Sequence, residues 1–375
     1  MNCKFLSNGL ALSYDHLVKP CCEFNKKDWK HNIENTDLTT WFESATVKEM
    51  QAKLNAGEFP ERCVRCKNIE VQNRGDSMRL NGESAYGHYT KDDITLEIRP
   101  GNTCNFACQT CWPAASSRVS SYHKQAFGTT DIVSKRYTDY RFLDPIAHRL
   151  RNIVLLGGEP FYDKNCIKFL EWLQEKQLDA ALTLFTNGSV IDWDFINNYK
   201  GKLTVVVSLD AMGEVAEYIR PGAKWETVRS NYKKLLATQH INTRVNITVS
   251  VYSIPFIGQL LQWLAQDWPE IVSFGTASET HLDLNVVPKT LVDPIVKDLR
   301  ETIDIINASK IILHQKQNTE AVLLAIINKL LTEDFDSNHH EQFVNYMTKL
   351  DMVKNLYGED YNIYFKNITK KILTC

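Results

Sequence analysis

The chain has 375 residues, of which 43% are hydrophobic, enough for a sizeable core in one large domain with appendages or in two to three domains. Its 43 Lys and Arg against 45 Asp and Glu leave a net charge of −2, which gives no general nucleic-acid or membrane footprint. No apolar run approaches the ~18 residues of a membrane-spanning helix, and the N-terminal segment, broken by Asp15 and His16, lacks a signal-peptide pattern. We therefore expect a cytoplasmic protein without membrane contact.

The predicted elements divide the chain into three regions. Residues 1–88 are rich in cysteine and loops, with one predicted helix over 44–55 that stops at Gly57. Residues 89–290 alternate short apolar strands with helices. The strands are predicted over 94–99, 153–156, 182–186, 203–209, 245–251 and 282–287, and the helices near 113–126, 164–176, 192–199, 224–237 and 256–267. Residues 291–375 carry only amphipathic helices, predicted over 291–309, 319–331 and 343–358.

This repeating strand–helix order predicts an α/β fold with a parallel sheet and right-handed crossovers. Six such units in about 200 residues suit a partial (β/α)6 TIM-like barrel, because a full barrel of eight units needs typically ~250. We therefore predict a cysteine-rich module over 1–88, a partial barrel over 89–290 and a helical region over 291–375.

The positions of the cysteines predict bound metal. Eight of the ten lie before residue 112, and close-spaced cysteines in a cytoplasmic protein of this size indicate metal ligands rather than disulfides. Cys166, inside an apolar helix pattern, is instead expected in the core.

Cys104, Cys108 and Cys111 form a Cys-x3-Cys-x2-Cys motif in the loop after the first barrel strand. Loops at this end of parallel strands hold the chemistry of such folds. Three thiolates on one loop can wrap one side of a four-iron cube and leave one iron free to chelate an amine and a carboxylate. The alternative is a zinc knuckle or buried free thiols, but structural zinc takes four ligands and this loop has no His. A [4Fe-4S] cluster is therefore the favoured prediction.

The segment LEIRPGNTCNFACQTCW resembles the radical S-adenosylmethionine (SAM) superfamily. The resemblance implies that Cys104, Cys108 and Cys111 are catalytic, that the open iron binds SAM, and that one electron cleaves SAM to a 5′-deoxyadenosyl radical. It implies that this radical abstracts hydrogen from a substrate, either a peptide or protein side chain or a small metabolite or nucleotide. An electron donor such as a flavodoxin or ferredoxin is expected. Thr110 stands where the superfamily often has an aromatic residue, and Trp112 is the candidate replacement.

The same resemblance assigns SAM contacts to residues after the second, third and fourth barrel strands. They are Gly157, Gly158, Glu159, Asn187, Ser208, Asp210 and Arg220. It gives Glu159 the methionyl amine, Ser208 a ribose hydroxyl, and Arg220 the carboxylate or the ribose, with Asn246 as a weaker adenosine contact. The alternative for Asn187, Ser208 and Asp210 is helix capping or turn chemistry, and for Arg220 a surface ion pair.

A second group of cysteines precedes the barrel and predicts an auxiliary site. Adjacent cysteines rarely both bind one metal, so we expect four ligands, Cys3, Cys63, Cys66 and one of the pair Cys21 and Cys22, with Cys21 taken as the ligand.

This N-terminal pattern resembles the twitch module, a short relative of the SPASM auxiliary-cluster module. The segments that carry the resemblance are NCKFLSNG, KPCCEF, LNAGEFPERC, RCKNIE and, after the barrel, FVNYMTKLD. An auxiliary Fe–S cluster is expected, with zinc as the alternative metal. The competing interpretation of the whole chain is a non-catalytic Fe–S or zinc protein with a structural or electron-relay role.

Overall fold

The computed structural model describes residues 2–71, 77–80, 90, 92–128, 136–277 and 279–354. Their contacts form two compact units. Unit 1 holds the described residues up to 103 together with 136–185 and 192–204, and unit 2 holds 104–128, 186–191 and 205–354. No helix in these ranges is long and apolar enough to cross a membrane. The three-domain division at residues 88 and 290 stays a prediction.

The described strands are, in chain order, β1 (Gly9–Leu12), β2 (Val18–Lys19), β3 (Ile94–Ile98), β4 (Leu150–Leu155), β5 (Ala181–Thr186), β6 (Leu203–Ser208), β7 (Ile241–Val249) and β8 (Ile271–Thr276). The described helices are α1 (Lys4–Asn8), α2 (Ala45–Asn55), α3 (Val64–Val71), α4 (Ser117–Phe127), α5 (Lys164–Glu175), α6 (Trp193–Asn198), α7 (Gly213–Ile219), α8 (Trp225–Ala237), α9 (Ile257–Leu264), α10 (Lys289–Ala308), α11 (Leu313–Thr332) and α12 (Ser337–Lys354).

The α/β class and the mostly parallel strands are as predicted for a partial (β/α)6 TIM-like barrel fold, with helices after the last strand. In unit 1, β1, β3, β4 and β5 pair in parallel in that order, and only β2 runs antiparallel, on β1. The side chains of Ile94, Leu96 and Ile98 in β3 are fully buried. This is why these strands are nearly continuous apolar runs, since parallel strands are covered on both faces.

Strand β1 is an element that the sequence did not reveal. The N-terminal segment was expected to contain loops and one helix, yet Gly9–Leu12 lies beside β3 with Leu10 opposite Leu96. A run of four residues, GLAL, is too short to show a period. The predicted helix over 44–55 is confirmed as α2, because the Ser44 hydroxyl accepts a hydrogen bond from the Val47 amide and caps its first turn.

The predicted strand over 282–287 is wrong. That segment forms two 3-10 turns, Thr280–Leu282 and Leu284–Val286, and an Asp283 carboxylate oxygen accepts a hydrogen bond from the Leu284 amide. The apolar side chains of this segment are buried, so the alternation of apolar and polar residues in its sequence comes from packed turns and not from a strand. The sixth barrel strand is β8, paired in parallel with β7. Because β8 is partly exposed and contains Gly275, it shows no apolar alternation.

In unit 2 the helices after β8 build a second layer of core. Helix α10 packs against both α9 and α11, and α12 packs against α4 and against the turn over Thr280–Leu282. The apolar residues Phe343, Met347 and Leu350 on α12 are all buried. This packing places the last turn of α12 beside the loop that follows Thr103, and residues 355–358 of the predicted helix lie outside the described residues.

Candidate functional site

The loop that carries Cys104, Cys108 and Cys111 is fixed by its own backbone. The amide of Ala107 donates to the carbonyl oxygen of Pro221 at 2.8 Å, and the amide of Gln109 donates to that of Ile219 at 2.8 Å. Between these two bonds lies Cys108. Because Ala107 and Gln109 are also fully buried, these two bonds are shielded from water and anchor the loop on both sides of Cys108.

The three thiols of this loop are close enough to influence one another. Burial raises the pKa of the Cys111 thiol, and the neighbouring Cys108 and Cys104 raise it further. Burial likewise raises the pKa of Cys108, while the Arg220 guanidinium opposes that rise. Mutual repulsion of three thiolates is relieved when positive iron binds them, so this set is suited to a metal cluster.

Hydrogen-bond donors surround two of the sulfur atoms. The Cys104 Sγ accepts from the Phe106 amide at 3.4 Å and from the Asn187 side-chain amide at 3.8 Å. The Cys108 Sγ accepts from the Arg220 guanidinium at 3.9 Å. Donors aimed at cysteine sulfur stabilise thiolates and are among the features that set the potential of an iron–sulfur cluster.

In the part of the chain that the structure describes, no group of three or more His, Cys, Asp or Glu side chains converges tightly enough to hold one metal ion. An iron–sulfur cube binds each thiolate through a different iron atom and so spreads its ligands over a larger distance than one ion does. Three thiols on one loop can each bind a different iron of such a cube.

Arg220 and Asp210 form a buried ion pair beside the cysteines. The distance between Arg220 Nη2 and Asp210 Oδ2 is 2.7 Å, and the Thr248 amide donates to Asp210 Oδ1 at 2.7 Å. Burial alone would lower the pKa of Arg220, but Asp210 and Cys108 outweigh burial and raise it. The buried Arg220 Nε has no hydrogen-bond partner among the described residues, so one donor is available to a ligand.

Asn187 positions the start of the cysteine loop. Its side-chain amide donates to Asn105 Oδ1 at 2.9 Å, and its Oδ1 accepts from the Ser189 amide at 2.9 Å. Asn105 also donates to the Ser189 hydroxyl at 2.8 Å. Asn187 thus forms the turn that the sequence offered as the alternative to a SAM contact. It also contacts Cys104, which a turn does not require.

Two other predicted contacts lie on strands of unit 2. Ser208 is the last residue of β6 and is partly exposed. Asn246 Oδ1 accepts a hydrogen bond from the Ser273 hydroxyl at 3.1 Å, which ties β7 to β8. Trp112, the candidate for the adenine contact, is 53% exposed. The roles assigned to these residues stay predictions.

Gly157, Gly158 and Glu159 follow β4 in unit 1 and press against the backbone before Cys104. A Cβ atom on Gly158 would lie 2.0 Å from the carbonyl oxygen of Thr103, so no other residue fits there without displacement. The Glu159 amide donates to that same oxygen at 3.0 Å. The Asp163 carboxylate accepts from the Thr103 amide at 2.7 Å. These contacts hold Thr103, the residue that directly precedes Cys104 in the chain.

The N-terminal cysteines face a common cavity in unit 1. Four of the five cysteines line it, namely Cys3, Cys21, Cys63 and Cys66. Burial raises the pKa of Cys63 to about 12, and Cys3 and Cys66 contribute to that rise. Burial also raises the pKa of Cys21 strongly, with Cys22, Cys3 and Cys63 adding to it. The four predicted ligands therefore lie together, although their binding of metal stays a prediction.

Cys22 faces a different group from its neighbour Cys21. Burial raises the pKa of the Cys22 thiol, and the Glu97 carboxylate adds to this through its charge and a hydrogen bond. Glu97 belongs to β3 and pairs with Arg99 at 3.0 Å. The two adjacent cysteines therefore have different surroundings, a difference that the sequence alone did not reveal.

The sequence assigned no role in the site to three polar residues, Gln109 in the cysteine loop and its hydrogen-bond partners Asp351 and Lys354. Gln109 lies between Cys108 and Cys111, and the other two lie in the last turn of α12. Gln109 could have been noticed from its place in the motif. The other two are separated from it by more than 240 residues of chain, and no local pattern reveals such a contact.

Comparison with known proteins identifies the central region. A family model for the radical SAM superfamily matches residues 98–251, which contain the cysteine motif and every SAM contact predicted above. Residues 98–251 therefore carry a radical SAM domain. SAM and an iron–sulfur cluster are accordingly its expected cofactors. None of the curated proteins compared with this chain matches it.

Several solved structures are similar to this chain. One is described as native anSMEcpe with bound AdoMet, with 17% identity and a TM-score of 0.43 over 65% of this chain and 68% of that one. Another is Streptococcus suis SuiB bound to S-adenosylmethionine, with 15% identity and a TM-score of 0.36 over 71% and 60%. A third is TYW1 with a lysine-pyruvate adduct bound, with 14% identity and a TM-score of 0.38 over 64% and 81%.

Proposed function

We propose that this enzyme binds a [4Fe-4S] cluster through Cys104, Cys108 and Cys111 and uses it to cleave SAM reductively. The observation that carries the proposal is the fixed loop whose three thiols lie together and whose sulfurs accept hydrogen bonds from Phe106, Asn187 and Arg220. When bound and reduced, the cluster with SAM supplies a 5′-deoxyadenosyl radical that abstracts hydrogen from a substrate.

Arg220 is proposed to serve both the cluster and SAM. Its ion pair with Asp210 holds the guanidinium against the Cys108 sulfur, where its positive charge balances thiolate charge. Its unpaired Nε is a donor for the SAM carboxylate or ribose. Asp210 acts by orienting Arg220, and Asn187 by holding Asn105 and donating to Cys104.

The remaining predicted SAM contacts are proposed on position alone. Ser208 lies at the carboxyl end of β6, where a small hydroxyl can accept or donate to a ribose. Gly157 and Gly158 allow the backbone after β4 to lie close to Gly101 and Thr103, and Glu159 supplies a carboxylate for the methionyl amine.

We propose that Cys3, Cys21, Cys63 and Cys66 hold an auxiliary Fe–S cluster. Their support is a shared cavity and the mutual effect of their charges. Arg79 adds a cation next to Cys3 and Cys66, and it is itself held by Glu70. A nearby cation favours a site that carries net negative charge, as four thiolates around a cluster do. Zinc remains the alternative, and metal analysis separates the two.

The substrate is proposed to be a peptide or protein side chain, or a small metabolite, and a flavodoxin or ferredoxin is proposed to deliver the electron. A cytoplasmic location is proposed as well, because reduced thiols persist in that compartment. The alternative function, a non-catalytic Fe–S or zinc protein, predicts no SAM cleavage under any reductant.

The deciding experiment is anaerobic reconstitution followed by incubation with SAM and dithionite. Two four-iron clusters would give about eight irons per chain, against about four for one. 5′-Deoxyadenosine should form with the wild type and not with Cys104→Ala, which should retain its N-terminal metal. Cys166→Ala is the matched control for the loss of one thiol, since Cys166 is buried in α5 and belongs to neither cysteine group, and it should leave the iron content unchanged. Unchanged cleavage by Cys104→Ala would overturn the proposal.

A further inference from the structure

The last turn of α12 contacts the cysteine loop through a charged side chain. Lys354 Nζ donates to the carbonyl oxygen of Ala107 at 3.1 Å and to Gln109 Oε1 at 2.8 Å. Ala107 and Gln109 are the residues on either side of Cys108. The ammonium group therefore bridges the backbone and side chain that frame this proposed ligand.

The last turn of α12 also supplies the Asp351 carboxylate, which accepts hydrogen bonds from two buried side chains. Gln109 Nε2 donates to Asp351 Oδ1 at 3.1 Å, and the Tyr218 hydroxyl donates to Asp351 Oδ2 at 2.8 Å. Gln109, Asp351 and Tyr218 are 0%, 3% and 4% exposed. Buried polar groups of this kind have a strict geometry, because each unmade hydrogen bond would be costly.

The ammonium group also lies within electrostatic range of the cluster ligands. Burial lowers the pKa of Lys354 to about 8, and the negative charges of Asp351, Cys108 and Cys111 oppose that effect. Taking an ammonium group out of water is unfavourable unless anions compensate. One such anion is the Asp351 carboxylate, and the others are the thiolates that the cluster requires.

We propose that Lys354, oriented by the Gln109–Asp351–Tyr218 network, is a positioning residue that fixes the loop around Cys108 and makes the bound cluster easier to reduce. This inference rests on the proposed function of that loop. Adding an electron makes a cluster more negative, so a fixed cation nearby stabilises the reduced form relative to the oxidised form. The residue thus links the C-terminal helix to the electron-accepting step.

The test measures the midpoint potential of the SAM-responsive cluster in reconstituted full-length protein, using electron paramagnetic resonance during a dithionite titration. Lys354→Met keeps the length of the side chain and removes its charge. At a fixed potential it should lower the ratio of reduced to oxidised cluster at least ten-fold, which is a shift of about 59 mV for one electron. Lys354→Arg keeps the positive charge and should keep most of the wild-type ratio of reduced to oxidised cluster. Lys349→Met, on the same helix but exposed, is the matched control and should leave it unchanged.

Asp351→Asn separates the effect of charge from simple loosening of the loop. Removing the carboxylate takes a negative charge away from the loop. At pH 6, well below the Lys354 pKa of about 8, the ammonium group stays protonated, so the cluster should become easier to reduce, opposite in sign to Lys354→Met. Shifts in the same direction for both variants, or no shift for Lys354→Met at full iron content, would overturn the inference. A wild-type cluster that does not respond to SAM would instead overturn the proposed function, so the two failures are distinguishable.

Discussion

Arg220 and Asp210 form an ion pair of 2.7 Å in which the two side chains are only 12% and 1% exposed. Asp210 is tied to β7 through the Thr248 amide, and Arg220 donates to the Cys108 sulfur. Hydrogen bonds and the ion pair therefore connect β7 to Cys108, a proposed cluster ligand. The ion pair should therefore affect both the stability of the fold and the chemistry of the site.

Removing one partner of this pair should destabilise the protein strongly. Arg220→Met leaves the Asp210 carboxylate buried without its cation, and breaking a buried pair in this way costs about 3–5 kcal/mol. The free energy of unfolding, measured by urea denaturation of the metal-free protein, should fall by that amount. The double variant Asp210→Asn, Arg220→Met should lose less than the sum of the single variants, because it leaves no lone charge.

Arg229 offers a matched control for this measurement. It pairs with Glu226 at 2.8 Å on α8, but both side chains are at least half exposed. Exposed pairs contribute about 0–1 kcal/mol, so Arg229→Met should change the free energy of unfolding by less than about 1 kcal/mol. Similar losses for Arg220→Met and Arg229→Met would contradict the assigned role of burial.

A second prediction concerns the close approach of Gly158 to Thr103. Gly158→Ala places a methyl group 2.0 Å from a backbone oxygen that cannot move without shifting the residue before Cys104. Overpacking of this kind costs about 1–3 kcal/mol of unfolding free energy. The variant should also incorporate less iron at the cysteine loop, measured after reconstitution.

The control for the glycine prediction is Gly275→Ala in β8. A Cβ atom there meets no atom within 4 Å. Its stability and iron content should stay close to those of the wild type. If Gly158→Ala and Gly275→Ala behave alike, the close contact with Thr103 has no energetic consequence.

The parts of the fold that were predicted from the sequence are those that local spacing determines. Cys104, Cys108 and Cys111 share one loop, so their grouping needs no knowledge of the remaining chain. Strand β3 and helix α2 were likewise predicted, because a buried apolar run and a capping Ser44 are local signals.

The parts that were missed depend on long-range contacts. Strand β8 is partly exposed and is recognised only by its pairing with β7. Lys354 and Asp351 look like ordinary surface charges on an amphipathic helix, and only packing of α12 on α4 brings them to the cysteine loop. Arg220 was predicted as a SAM contact, with a surface ion pair as the alternative, and its burial with Asp210 was not predicted.

A third prediction separates the adjacent cysteines of the N-terminal group. Cys21 lines the cavity with the other proposed ligands, whereas Cys22 interacts with Glu97. Cys21→Ser should therefore lose the auxiliary metal, and Cys22→Ser should keep it. Iron and zinc per chain, measured after reconstitution in the Cys104→Ala background, report on this site alone. Retention of metal by Cys21→Ser together with its loss in Cys22→Ser would reverse the assignment.

The last prediction concerns pH and the contact between α4 and α12. His123 shares a hydrogen bond of 3.0 Å with the Tyr346 hydroxyl. Burial lowers the pKa of His123 to about 4 from an ordinary value of 6.5, and the positive charges of Lys354 and His281 add to that effect. Between these two values the unfolded chain binds a proton that the folded chain does not. The stability that neutral His123 provides is therefore complete above pH 6.5 and is lost as the pH falls towards 4.

The size of this effect is modest, because His123 is only half-buried and solvent screens its charge. Between pH 7 and pH 5 we expect the wild type to lose about 1 kcal/mol more unfolding free energy than His123→Gln. Urea denaturation of the metal-free proteins at both pH values measures this difference, with the exposed His240→Gln as the control for losing a histidine elsewhere. A group makes stability depend on pH only if its proton affinity differs between the folded and unfolded states. Equal losses in the wild type and His123→Gln would therefore show that burial at the α4–α12 contact does not disfavour the protonated ring.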